Sequence, residues 1–130
     1  DPVVMHGDGF TIPAGRALCE RWLAEHPETT AILAGNDMIA LGVYEALSAA
    51  GVRCPDDISV VGHNDMPLVG SVSPPLTTVA IPKHRIGVEA ASLLLDRLDG
   101  RGAGDERRLL DTRLVVRAST APAPAGSRHI

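Results

Sequence analysis

Thr30-Ala31-Ile32-Leu33-Ala34-Gly35-Asn36-Asp37-Met38-Ile39-Ala40-Leu41-Gly42 is a short apolar run that ends in glycine, turns through Asn-Asp and re-emerges as an apolar segment of helical length. The run reads as a strand. Asn36 or Asp37 supplies the short side-chain acceptor that caps the free N–H groups of a helix, and Gly51 stops that helix after about Ala50. The same order of apolar run, glycine and Asp or Asn recurs at Val3-Val4-Met5-His6-Gly7-Asp8 and at Ile58-Ser59-Val60-Val61-Gly62-His63-Asn64-Asp65. Strands alternating with helices predict an α/β fold on a parallel sheet. In such a sheet the polar loops beyond the strand ends gather along one edge, where ligands bind. The pattern therefore predicts a binding cleft.

The flanking segments extend this reading. Residues 2–5 read as a first strand and Pro13 to about His26 as a helix with Ala17, Leu18, Trp22 and Leu23 on one face. Thr29–Leu33 and Ile58–Val61 read as the second and third strands, 67–75 as a long loop and Thr77-Thr78-Val79 as a short extended piece. Pro82 opens a helix to about Leu98, with Ile86, Ala90, Leu93, Leu94 and Leu98 as its apolar stripe. Gly100–Gly104 is a flexible break, Leu109–Val116 a last strand and 121–130, rich in Ala, Pro, Gly and Ser, a disordered tail.

With 130 residues, 45% of them hydrophobic and 22% charged, the chain has the makings of one globular domain. A net charge of -4 without a dense Lys/Arg stripe argues against a nucleic-acid surface on this chain. Cys19 and Cys54 lack the spacing of a zinc site or a disulfide framework, which fits a reduced, cytoplasmic setting; no cofactor and no metal are expected. No apolar run has the length of a membrane span, and the start Asp-Pro-Val-Val has neither a signal segment nor Met, so the chain reads as a piece of a longer protein.

Between Asp37 and Arg53 the only charged residue is Glu45. A helix that is apolar all round is buried all round. One side can pack on the sheet; the other is expected to meet a twin subunit. At the predicted cleft, Asn36 and Asp37 read either as helix caps or as ligand contacts. Asn64 and Asp65 precede Met66-Pro67, where no helix begins, so a ligand role explains them better. Amides and carboxylates on neighbouring loops suit a polyhydroxylated ligand. Phe10, the only phenylalanine, sits in a glycine-flanked loop at the same edge and can stack on a sugar ring or tuck into the core. Asp8, Asp37 and Asp65 at three strand ends, with His63 nearby, offer an alternative: an oxygen-ligand magnesium site of a phosphoryl-transfer enzyme.

Residues 30–42, then Ala50-Gly51-Val52-Arg53-Cys54-Pro55-Asp56-Asp57-Ile58-Ser59-Val60-Val61-Gly62-His63-Asn64-Asp65, then Pro74-Pro75-Leu76-Thr77-Thr78-Val79, resemble the effector-binding domain of lactose-repressor-type (LacI/GalR family) transcription regulators. The closing Leu114-Val115-Val116-Arg117-Ala118-Ser119-Thr120 is similar to that family's chain end. The resemblance implies a type I periplasmic-binding-protein-like fold of two lobes, a non-enzymatic sugar-responsive switch, a homodimer, and DNA contact only through a helix-turn-helix module that this stretch does not include. Residues 1–120 would be a partial effector-binding domain: 1–74 and 109–120 in the C-terminal lobe, 75–108 the crossover and a helix of the other lobe.

By the same resemblance Phe10 is the aromatic that stacks on the effector, Asn36 the amide that contacts it, and Asn64 a position where Asp is usual. His63 stands where Phe or Tyr is usual, and an arginine that often anchors the ligand would lie upstream of residue 1. Asp37 and Asp65 are ligand-binding or capping residues. Ala40, Val43, Tyr44 and Leu47 of the helix, with Leu68 and Val72 of the loop, fall at the subunit contact. A transporter's sugar-binding protein of the same fold is the alternative of another class. The leucines of the helix after Pro82, each worth roughly 1.5–3 kcal/mol when buried, are expected to pack on its own lobe or on another copy, as in a swapped element.

Overall fold

The structure, a computed structural model, describes residues 2–101 and 105–123. Thr11 starts helix α1 (Ile12–Glu25): its hydroxyl accepts from the Ala14 amide at 3.3 Å, and Pro13 occupies the first turn. The helix closes when the His26 amide donates to the Trp22 carbonyl at 2.8 Å, just before Pro27. Gly15 and Cys19 form its buried face, with Trp22 and Leu23 half-covered. Ala17, expected on that face, is exposed. It lies two residues, about 200°, from both Gly15 and Cys19.

After β1 (Ala31–Leu33) comes α2 (Asp37–Ala49), then β2 (Ser59–Asn64), β3 (Thr77–Ala80), α3 (Lys83–Leu98) and β4 (Arg113–Val115). The sheet runs in the order β1-β2-β3-β4. The first three strands are parallel, with Leu33 opposite Val61 and Val61 opposite Thr77; β4 returns antiparallel beside β3, with Leu114 opposite Val79. The predicted parallel sheet thus gains an antiparallel edge, and the last strand is shorter than expected. Residues 2–5 form no strand: Val3 and Val4 are 60% and 68% exposed and have no ladder partner among the described residues. β-branched side chains favour an extended backbone, but a strand exists only where its N–H and C=O groups are paired. Of the expected break at 100–104 and tail at 121–130, residues 102–104 and 124–130 lie outside the described residues.

The two helices meet backbone to backbone. A Cβ on Gly15 would come within 2.7 Å of the Ile39 Cα, and one on Gly42 within 2.9 Å of the Gly15 carbonyl carbon. This contact supplies the second cover that α2 requires: α1 takes one side and the sheet the other. Ala40, Val43 and Leu47 are 0%, 3% and 1% exposed within the single chain. They are therefore core, and the expectation that they face a partner subunit is corrected.

Ser119 closes the lobe from the far end of the chain. Its hydroxyl donates to the Val60 carbonyl at 2.6 Å and accepts from the Thr77 amide at 2.7 Å, joining β2 to β3 where both begin. Helix α3 has no buried residue; Leu94, Leu95 and Leu98 are 59%, 59% and 73% exposed. Of the two expected alternatives, its own lobe or another copy, its leucines do not follow the first. Lys83, in its first turn, reaches back to the carbonyls of Asn64 and Asp65, and the returning segment lies against its middle, where Arg108 Nη1 meets a Glu89 carboxylate oxygen at 2.7 Å.

Candidate functional site

Residues past the ends of β1 and β2 share one edge because those strands are parallel and adjacent. With Leu33 level with Val61, Asn36 and Asn64, each three residues further on, are brought to the same rim. Asn36 caps α2: its Oδ1 accepts from the Ile39 amide at 2.8 Å. Its Nδ2 donates to the Phe10 carbonyl at 3.3 Å and so fastens the loop before α1 to the head of α2. Phe10 follows Gly9, whose φ of +149° suits glycine. The Phe10 ring is 71% exposed rather than tucked into the core. All three predicted contact residues therefore lie along one edge, with a bare aromatic at one end.

Asn64 ends β2 with φ at +114°, and Asp65 follows with φ at +51°. Two successive non-glycine residues there cost on the order of 1–3 kcal/mol each, strain that persists only when neighbours enforce it. Four contacts do so, the first being the Asp65 amide, which donates to Thr78 Oγ1 at 3.4 Å. The Lys83 ammonium donates to the carbonyls of Asn64 (2.7 Å) and Asp65 (2.9 Å), and Arg117 Nη2 pairs with Asp65 Oδ1 at 2.7 Å. The Asn64 amide oxygen only accepts, so His63 donates to it from Nδ1 at 3.0 Å.

Asp37 is corrected as a cap and as a ligand contact, and Asp65 is corrected as a cap. The Asp37 carboxylate is fully buried, accepting from Thr78 Oγ1 at 2.6 Å and the Met66 amide at 2.7 Å, and it presses on Gly62, where a side chain would collide with it. It holds α2, β3 and the loop after β2 together and presents nothing to a ligand. Asp65 caps no helix, and its carboxylate is taken by Arg117. With those two acids engaged and Asp8 exposed in its loop, the three-carboxylate magnesium arrangement does not form. Among the described residues no group of three or more His, Cys, Asp or Glu side chains comes together to hold a metal ion.

The sequence reading missed Lys83 and Arg117. Lys83 acts on carbonyls 18 and 19 residues away and Arg117 on a carboxylate 52 residues away, separations that leave no local pattern. A groove of about 330 Å³ runs between Ile86 and Leu93 of α3 and the segment at Arg108–Leu110, away from the rim residues. In the core, burial pushes the Cys19 thiol up to about 11, and burial raises Tyr44, whose hydroxyl donates to the Pro74 carbonyl at 3.1 Å.

An α/β lobe with an amide-lined, aromatic-flanked rim at its strand ends is the architecture of a small-molecule binding domain. Residues 1–120 match the family described as the periplasmic binding protein-like domain. The chain belongs to that family and, within it, to the LacI/GalR type. It is 36% identical over 124 residues to the HTH-type transcriptional repressor CytR of Escherichia coli K12, covering 95% of this chain and 36% of that protein. The chain thus spans about a third of that relative's length. A LacI family transcriptional regulator from Arthrobacter sp. FB24, solved in complex with lactose, superposes with a TM-score of 0.75 at 41% identity, covering 85% of this chain and 42% of its own. A dimeric Lac repressor with a C-terminal deletion superposes with a TM-score of 0.77 at 33% identity, covering 85% and 40%. Among the described residues, no helix is long and apolar enough to cross a membrane.

Proposed function

We propose that this chain is the C-terminal lobe, with part of the crossover, of a cytoplasmic LacI-type transcription regulator, and that Phe10, Asn36 and Asn64 bind a sugar or related polar effector. The carrying observation is the rim itself: the Asn36–Phe10 hydrogen bond and the strand register gather an exposed aromatic and two amides at one edge. A flat aromatic face beside amides suits a sugar ring and its hydroxyls. The lactose bound by the Arthrobacter relative supports the same ligand class. No catalysis is assigned.

Within the expected crossover stretch 75–108, β3 (Thr77–Ala80) is a strand of this lobe's own sheet; the residues after it serve as crossover and α3 as a helix of the other lobe, which accounts for α3 standing clear of the core. The effector binds one arrangement of the lobes better than the other and so shifts the population competent to bind DNA. DNA contact itself belongs to a helix-turn-helix part of the full-length protein. Dimerisation is assigned to the outer strip that remains after the core residues are removed: Tyr44 and Val72, half-buried, and Leu68, 79% exposed with φ at +77°.

The test is calorimetric titration of the full-length protein with lactose, cellobiose and ribose, comparing wild type with Asn36→Ala and Asn64→Ala. Each change should weaken the best-bound sugar by about ten-fold, the value of one well-made hydrogen bond. Affinity that survives both changes overturns the site.

A further inference from the structure

Helix α3 opens with Lys83-His84-Arg85 and has neither an acidic residue in its first turn nor a side-chain cap. Cations at a helix N-terminus oppose the macrodipole, so helix stability gives no reason for Lys83 to be there. The rim gives one. Pairing of β2 with β3 ends at Asn64 opposite Ala80, after which the carbonyls of Asn64 and Asp65 leave the ladder and need other donors. Lys83 Nζ donates to both, at 2.7 and 2.9 Å. A single ammonium thus bridges two consecutive residues held at φ of +114° and +51°. Methionine, of similar length, could make neither bond.

We infer that Lys83 is a positioning residue of the effector site: by holding the carbonyls of Asn64 and Asp65 it fixes the left-handed turn that sets the Asn64 amide at the rim. The inference rests on the functional reading above, in which Asn64 touches the effector; Lys83 itself need not. Because Lys83 belongs to the first turn of α3, the same contact ties the ligand-facing turn of this lobe to the helix that leaves it. His63 and Arg117 hold the side chains of Asn64 and Asp65, Thr78 accepts from the Asp65 amide, and Lys83 holds both carbonyls.

The test is a double-mutant cycle in the full-length protein, with Lys83→Met, Lys83→Arg, Asn64→Ala and the pair Lys83→Met/Asn64→Ala titrated with lactose, cellobiose and ribose. Lys83→Met should weaken the bound sugar by about ten-fold while leaving the thermal midpoint unchanged. Lys83→Arg should recover most of the affinity. In the Asn64→Ala background, Lys83→Met should cost nothing further, because its effect passes through Asn64. Losses that simply multiply, or a Lys83→Met protein that binds like wild type, overturn the inference while leaving the sugar reading intact. If the wild-type protein binds none of the three sugars, the sugar reading fails and hydrogen exchange decides the fate of Lys83. Amides of residues 64–66 should then exchange several-fold faster in Lys83→Met and normally in Lys83→Arg, and unchanged exchange overturns the inference.

Discussion

Gly42→Ala and Gly87→Ala place the same methyl group in the middle of two helices, and the structure predicts opposite signs. In α2 the new carbon at 42 would lie 2.5 Å from the Arg16 amide nitrogen and 2.9 Å from the Gly15 carbonyl carbon, with the Ile12 carbonyl oxygen also in the way. These are backbone atoms of a packed helix and cannot swing aside, so α1 and α2 must separate. Overpacking of this kind costs about 1–3 kcal/mol, and the upper end applies when the obstacle is backbone. Against it stands the gain of about 1 kcal/mol from replacing glycine by alanine within a helix. The net loss is about 2 kcal/mol, which at a urea slope of about 2 kcal/mol per molar moves the midpoint down by about 1 M. At Gly87 nothing lies within 4 Å of the added carbon, so only the propensity gain remains and α3 becomes more stable by up to about 1 kcal/mol. Urea titrations of the 130-residue chain followed by circular dichroism measure both. A neutral or stabilising Gly42→Ala would refute the reasoning, because it would mean that α1 does not cover α2 and that its apolar face awaits another partner.

Three further outcomes follow from individual side chains. Cys19 is buried and its thiol is pushed from 9.0 up to about 11, so the folded chain keeps a proton that the unfolded chain gives up. Stability should therefore fall as pH rises from 9 to 11, by roughly 2 kcal/mol from this group; Cys19→Ala should flatten that fall in urea midpoints measured across the range, and an unchanged slope would count against it. Phe10→Ala should leave the thermal midpoint within about 1 °C of wild type, since the ring is 71% exposed, yet lower sugar affinity in the full-length protein about ten-fold; equal affinity by calorimetry would remove the stacking role. Leu68→Lys should shift the full-length protein from dimer to monomer in sedimentation velocity without changing its unfolding midpoint, and a dimer of wild-type strength would move the interface elsewhere.

What could be read in advance was local. Asn36 capping α2, Pro13 in the first turn of α1 and the strands at 31–33 and 59–64 each follow from a residue and its near neighbours. The shared edge was legible for the same reason: once two strands are parallel and adjacent in register, residues at their carboxyl ends lie along one side of the sheet. The misreadings depended on contacts that no window contains. Among the described residues, Val3 and Val4 have the side chains of a strand but no neighbour to complete a ladder, and α3 has the stripe of a packed helix faced only in part, by the segment at Arg108–Leu110. The cover of α2 was assigned to a second subunit because an apolar helix records that it is covered without recording by what. A signal was present in Gly15 and Gly42, each in a helix interior where glycine costs about 1 kcal/mol and no turn requires it, which points to a close approach of backbones.

Asn36 and Asp37 show why adjacent residues of similar chemistry cannot be assigned from type alone. Both follow the same strand end, and both offer short oxygen acceptors. The chain direction at the start of α2 turns Asn36 toward the loop of Phe10 and Asp37 inward against Gly62 and Thr78. An amide can cap with its oxygen and still donate, so Asn36 serves the helix and the rim together. A carboxylate placed inward is stable only when both oxygens are satisfied, and the Thr78 hydroxyl and Met66 amide do that. Removing it strands those two donors in the core, so Asp37→Ala should cost about 2–4 kcal/mol in the urea midpoint, a loss expected of a strut between helix and sheet. Were the acid a ligand contact instead, the same change would spare stability and abolish only binding.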